Sequence, residues 1–229
     1  MLVFCYNLHM KLLLTSAGIK NKTLAQALLD LVGKPASEIK LAFIPTAANI
    51  PTVDMGWFID NLWQIKQQKF KNIDIVDISA LPREIWQPRL EAADILFFSG
   101  GNTSHLMRWL EESGLKKILP ELLKTRVYVG VSAGSIVTGP TLDTANAEKA
   151  LRYKKQFGYE TNTGLGFVDF CVRPHLNSSS SPHSRKEIVE EIAVRIPQTI
   201  YAIDDQMAIK VVDGKTEVVG EGEYLVFNK

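Results

Sequence analysis

Short apolar runs alternate with longer amphipathic segments along almost the whole chain, and this alternation restricts the fold more than any other feature. "KLLLTS", "IKLAFIPTA", "IDIVDIS", "ADILFFSGG" and "RVYVGV" are each six to nine residues long and of buried-strand character. Between them lie helical patterns: "KTLAQALLDLVG" with its terminal Gly33, "VDMGWFIDNLWQIKQQKF", a short helix over residues 82–92 started by Pro82, and "NTSHLMRWLEESG". "LKKILPELLKT" is helical, with Pro120 as a kink or divider. In the second helix Trp57, Ile59, Leu62, Trp63 and Ile65 are expected on the buried side. Strands nearly continuous in apolar residues, alternating with helices, predict an α/β fold of three layers, αβα, around a largely parallel sheet covered on both faces. Residues 141–164 lack clean periodicity and are expected to be loop and turns. "LGFVDFCVRPH", "TIYAIDD", "MAIKVVDG" and "TEVVGEGEYLVFN" read as later strands, the last joined by the "VDGK" turn into a C-terminal antiparallel hairpin.

The 229 residues are expected to form a single α/β domain over residues 10–229. Residues 1–9 precede the first strand, lack the leading positive charge of a signal peptide, and are expected to be a loose N-terminal extension. The net charge is +1, without a basic stripe, so nothing points to nucleic acid. No apolar run reaches the length of a membrane span. Two cysteines, Cys5 and Cys171, make no disulfide framework and fit a reduced, cytoplasmic setting. No metal signature occurs, and no metal or cofactor is expected.

Chemistry concentrates at the carboxyl ends of the strands, where open parallel sheets bind ligands. Gly130 to Gly134 form a G-x-S-x-G pentapeptide at a strand-to-helix corner. Such a corner exposes the Ser132 oxygen, and the helix start leaves the Ala133 N–H free to stabilise an oxyanion. A serine hydroxyl needs a base. Of His9, His105, His175 and His183, only His175 ends a strand on the same rim; His105 fits a polar position in a first helical turn. The carboxylate that would orient the imidazole is open among Asp204, Asp205, Asp143 and Glu148. The two glycines of "FFSGGNT" let backbone approach a ligand, with the Gly101 N–H as second oxyanion donor and Asn102 or Thr103 as helix cap. A phosphate loop would need a Walker lysine that is missing here.

In order and spacing, "FFSGGNTSHL", "VYVGVSAGSIVTGPTL", "RPHLN" and "IYAIDDQMAIKV" resemble the serine peptidase family of α-aspartyl dipeptidase (dipeptidase E) and cyanophycinase, from about Met10 onward. The resemblance implies a fold like that of class I glutamine amidotransferases. It implies Ser132 as nucleophile, His175 as base, and Gly101 and Ala133 as oxyanion donors. The family's acid is usually a glutamate; the matching place here is Asp205, one methylene shorter, with Asp204 and Glu148 as alternatives. An N-terminal aspartate in the substrate would need a cation, and Arg173 and Arg185 are the candidates, with Asn102 beside them as a substrate-binding position. The expected enzyme is a cytoplasmic serine peptidase acting on small peptides, with a homodimer as its expected assembly. A cyanophycinase-like or other amide hydrolase on the same residues is a second reading. A non-catalytic binding protein that keeps the fold is a third.

Overall fold

A computed structural model describes residues 9–50 and 54–229. The proposed extension lies, apart from an exposed His9, outside the described residues. The first half of the chain runs β1 (Lys11–Thr15), α1 (Lys22–Val32), β2 (Lys40–Ile44), α2 (Gly56–Gln67), β3 (Asn72–Ile75), α3 (Arg83–Glu91), β4 (Ile95–Phe98), α4 (Thr103–Glu112), α5 (Leu115–Leu122) and β5 (Val127–Val131). The second half runs α6 (Ala133–Ile136), α7 (Ala147–Phe157), β6 (Cys171–Arg173), α8 (Lys186–Ala193), β7 (Ile200–Ile203), β8 (Met207–Val212), β9 (Lys215–Gly220) and β10 (Tyr224–Phe227).

Seven strands form the central sheet in the order β3-β2-β4-β5-β1-β8-β9. The first five are mutually parallel, and β8 and β9 are antiparallel additions at one side. Alternate side chains feed two apolar layers. Leu12, Leu14, Ile44, Phe98 and Tyr128 face α3, α4, α5 and α6, whereas Leu13, Phe43, Phe97 and Val129 face α1 and α2. Both faces are thus covered, as near-continuous apolar strands require. The β8–β9 hairpin turns on Asp213 and Gly214, both at positive φ, as a two-residue turn that matches strand twist does.

Four readings of the sequence are corrected. β7 does not join the central sheet; it pairs in parallel with β6 and antiparallel with β10 in a separate three-stranded sheet. The run "TEVVGEGEYLVFN" is divided between the two sheets, broken after Gly220. Residues 147–157 are a helix, not loop. Tyr153 is its only buried residue, so it has no apolar stripe to read, although Asn146 caps its start and left-handed Gly158 ends it. In α2 only Ile65, of the five expected apolar residues, is buried; Ile59 is 62% and Trp63 59% exposed. Asn61 takes the inner face instead, donating to the Ala17 carbonyl oxygen at 3.2 Å.

Candidate active site

The corner after β5 is built by close approach. A Cβ on Gly130 would lie 2.6 Å from the Gly134 carbonyl carbon, and one on Gly134 2.5 Å from the Phe98 carbonyl oxygen. Only hydrogen fits at either place. The corner residue, Ser132, has φ 47° and ψ −102°, outside the regions open to ordinary residues. Such conformations cost about 1–3 kcal/mol and persist where surrounding contacts dictate them. Here the contacts come from the end of β1. The Ser132 N–H donates to the Thr15 carbonyl oxygen at 3.1 Å, and the Ser135 hydroxyl donates to the same oxygen at 2.7 Å. From the other side, buried Tyr128 donates its hydroxyl to the Gly134 carbonyl oxygen at 2.6 Å.

A histidine arrives from the small sheet. His175 follows β6 and has φ +64°, the left-handed region. Its Nε2 lies 2.9 Å from Ser132 Oγ, and its Nδ1 lies 2.7 Å from Asp205 Oδ1. Asp205 follows β7, the parallel neighbour of β6, so the histidine and the aspartate leave adjacent strands in the same direction. Burial pushes the Asp205 carboxyl up. The hydrogen bond and charge of His175, with a hydroxyl bond from Ser16, outweigh that and bring it down to about 2. It is therefore ionised at neutral pH.

The Gly100–Gly101 turn runs alongside. A Cβ on Gly100 would lie 3.4 Å from Ser132 Cβ and 3.5 Å from Trp57 Cζ3. Gly101 has φ +137°, and a Cβ there would lie 2.0 Å from the Ala47 carbonyl oxygen, so no other residue fits. Among the described residues, no backbone carbonyl engages the N–H of Gly101 or of Ala133.

The remaining expected site residues lie elsewhere. Asn102 caps α4, its side chain accepting from the His105 N–H at 2.9 Å. Asp204 accepts from the N–H groups of Gln206 at 2.8 Å and Glu223 at 2.6 Å; it holds a turn and makes no hydrogen bond to His175. Glu148 is exposed in the first turn of α7. Buried Arg173 donates to the carbonyl oxygens of Thr144 and His183, and burial lowers its pKa. It lines a cleft of about 410 Å³ with Asp143, Glu148 and His183, a lining that includes neither Ser132 nor His175. Arg185 is exposed at the start of α8. The expectation of a polar surface position for His105 is overturned. It is buried, its Nδ1 is 2.8 Å from the Tyr153 hydroxyl, and burial pushes its imidazole down to about 4.

One member of the cluster had escaped the sequence analysis. Ser16, just beyond β1, is fully buried, with its Oγ 2.8 Å from both the His175 backbone N and Asp205 Oδ1. It stands in "KLLLTS", at the carboxyl end of a strand, and that position was the available signal. Among the described residues, no group of three or more His, Cys, Asp or Glu side chains is placed to hold a metal ion.

A strained serine at a strand-to-helix corner, hydrogen-bonded to an imidazole and through it to a carboxylate, is the arrangement of a serine hydrolase. Residues 12–219 match Peptidase family S51, and the chain belongs to that family; it is a serine peptidase. It is 25% identical over 192 residues to an uncharacterised peptidase of Pasteurella multocida, covering 83% of this chain and 89% of that one. It is 26% identical over 212 residues to Peptidase E of Actinobacillus pleuropneumoniae, covering 90% and 83%. In fold it is similar to the crystal structure of a Listeria monocytogenes protein classed provisionally as a Peptidase E. The TM-score is 0.75 at 24% identity, over 93% of this chain and 99% of that one.

Proposed function

We propose that the peptidase cleaves dipeptides or other short peptides through Ser132, His175 and Asp205. The run of hydrogen bonds at 2.9 and 2.7 Å, joining the three side chains in that order, carries this reading. Asp205 accepts the Nδ1–H of His175, which leaves Nε2 with a lone pair facing the Ser132 hydroxyl. Ser132 Oγ attacks the scissile carbonyl carbon as Nε2 takes its proton. The carbonyl oxygen gains negative charge and receives the N–H groups of Gly101 and Ala133. His175, now an imidazolium held by Asp205, gives that proton to the departing amine, and the C–N bond breaks. Water repeats the sequence on the acyl-serine, releasing the acid and restoring Ser132.

Labelling with a fluorophosphonate tests the nucleophile. The expected result is one adduct on Ser132, absent in Ser132→Ala. Peptide hydrolysis by a folded Ser132→Ala variant would remove the reading. Hydrolysis profiling against Asp-X dipeptides, β-linked Asp-Arg and glutamine separates the dipeptidase from the cyanophycinase-like alternative. The Peptidase E relatives favour the first. Arg185 is the better placed of the two candidate cations for an acidic substrate side chain, because the terminal nitrogens of Arg173 are already engaged by backbone carbonyls.

A further inference from the structure

The backbone N–H of Ser16 donates to the Met207 carbonyl oxygen of β8 in the central sheet, yet the hydrogen bonds of its hydroxyl are all with the base and the acid that the small sheet supplies. Its Oγ lies 2.8 Å from the His175 backbone N, 2.8 Å from Asp205 Oδ1 and 3.4 Å from His175 Nδ1. A hydroxyl has one proton to give. The backbone N–H can only donate to it. The carboxylate, ionised at neutral pH, can only accept. The Ser16 proton therefore points at Asp205 Oδ1, the same oxygen that receives the Nδ1–H of His175. With Nδ1 carrying a proton, Nε2 is left bare toward Ser132.

Backbone geometry adds a second, independent reason. His175 sits in the left-handed region, which residues with a Cβ disfavour. A residue there needs partners that dictate its conformation, and the Ser16 hydroxyl takes its N–H. Ser16 is itself fixed, being buried next to Thr15, whose carbonyl oxygen holds the nucleophile corner.

We infer that Ser16 is a positioning residue for this site: one buried hydroxyl ties the backbone of the base to the carboxylate of the acid and registers both against the strand that holds Ser132. This role rests on the reading of Ser132, His175 and Asp205 given above. Ser16 acts on turnover through Asp205 and His175.

The test is steady-state kinetics of Ser16→Ala across pH. Losing a hydrogen bond to a charged group lowers kcat by about 10- to 100-fold, with KM within about threefold. The acid limb of the kcat/KM profile moves to higher pH. The direction follows from charge: without the Ser16 donor, Asp205 holds the protonated imidazole more strongly. A residue that only filled space would not move that limb. Ser16→Thr, which keeps the oxygen, restores the limb to its original position. In an Asp205→Asn background, Ser16→Ala adds less than about a threefold loss, since coupled residues do not act additively. Should the alanine variant fail to fold, Ser16→Cys keeps the volume and weakens both hydrogen bonds, and is expected to show the same loss and shift. Unchanged kcat and an unmoved limb in the folded variant would overturn the role, as would an undiminished loss in the Asp205→Asn background. Ser132→Ala, assayed in parallel, separates the two levels. Activity there removes the whole site reading, whereas an inactive Ser132→Ala beside an unaffected Ser16→Ala removes only the role of Ser16.

Discussion

The central sheet and the small sheet contribute differently to one site. The central sheet supplies Ser132, from the middle strand of seven, buried along its full length with three strands on either side. The small sheet supplies His175 and Asp205, from strands of three and four residues with an apolar cluster of their own under α8. The proposed nucleophile thus stands on the most constrained part of the molecule, where backbone strain can be held. The proposed base and acid stand on a short parallel pair whose spacing sets the distance between them. A site divided in this way depends on register between the two sheets, and the contacts at the end of β1 provide it.

Breaking either contribution has a graded effect. Ser132→Ala is expected to lower kcat/KM by about 10⁴-fold or more, measured with a dipeptide substrate, and to leave the thermal midpoint nearly unchanged. Asp205→Asn, which presents the wrong hydrogen-bonding edge to Nδ1, is expected to lower kcat by about 10³- to 10⁴-fold. Glu148→Gln, tested in the same assay, changes it less than about threefold, because an exposed surface substitution has little reach. Asp205 also carries a pH signature. Its carboxyl is depressed in the folded protein, so its stabilising effect is fully present above the ordinary carboxyl value of 3.8 and is lost as pH falls through about 2. The thermal midpoints of wild type and Asp205→Asn, scanned from pH 6 downward, therefore converge below about pH 4.

Stability separates the two regions next. Arg173→Met removes both donors to the Thr144 and His183 carbonyl oxygens beneath the small sheet, and is expected to destabilise by about 1–3 kcal/mol in urea denaturation. Activity should then disappear at a lower urea concentration than the fluorescence of Trp86, buried on α3 against the central sheet, if the small sheet opens first. The smallest effect belongs to α2. Trp63→Gln replaces an exposed side chain and should shift stability by no more than about 0.5 kcal/mol.

Legibility followed the same division. The five parallel strands are readable because each is a run of apolar residues too short for a helix, and α1 and α4 carry their own boundary residues in Asn21, Gly33 and Asn102. The positions of Ser132 and His175 followed from strand ends. The small sheet was misread because its strands are equally apolar, and periodicity says which residues are buried but not which sheet they join. Helix α7 escaped because its single buried tyrosine leaves no stripe, and the Trp63 face of α2 was misjudged because aromatic character is not burial. Asp205 could not be chosen over Asp204 from neighbouring positions alone. The two point in different directions, one into the imidazole and the other into the backbone of the β9–β10 turn. Ser16 was passed over because a serine at the end of a strand is ordinary until a distant histidine is seen against it.

The two outermost strands of the seven, β3 and β9, carry polar fringes. Asp74 of β3 is gripped by Arg89 through paired contacts. On β9, Lys215 and Thr216 stand in solvent, and Glu217 meets Lys210 of β8 at 2.7 Å. A foreign segment seeking to lengthen the array by backbone pairing would have to lie against these ionic groups, which oppose such additions at sheet margins. Strand recruitment along either margin of the scaffold behind Ser132 is in this way disfavoured.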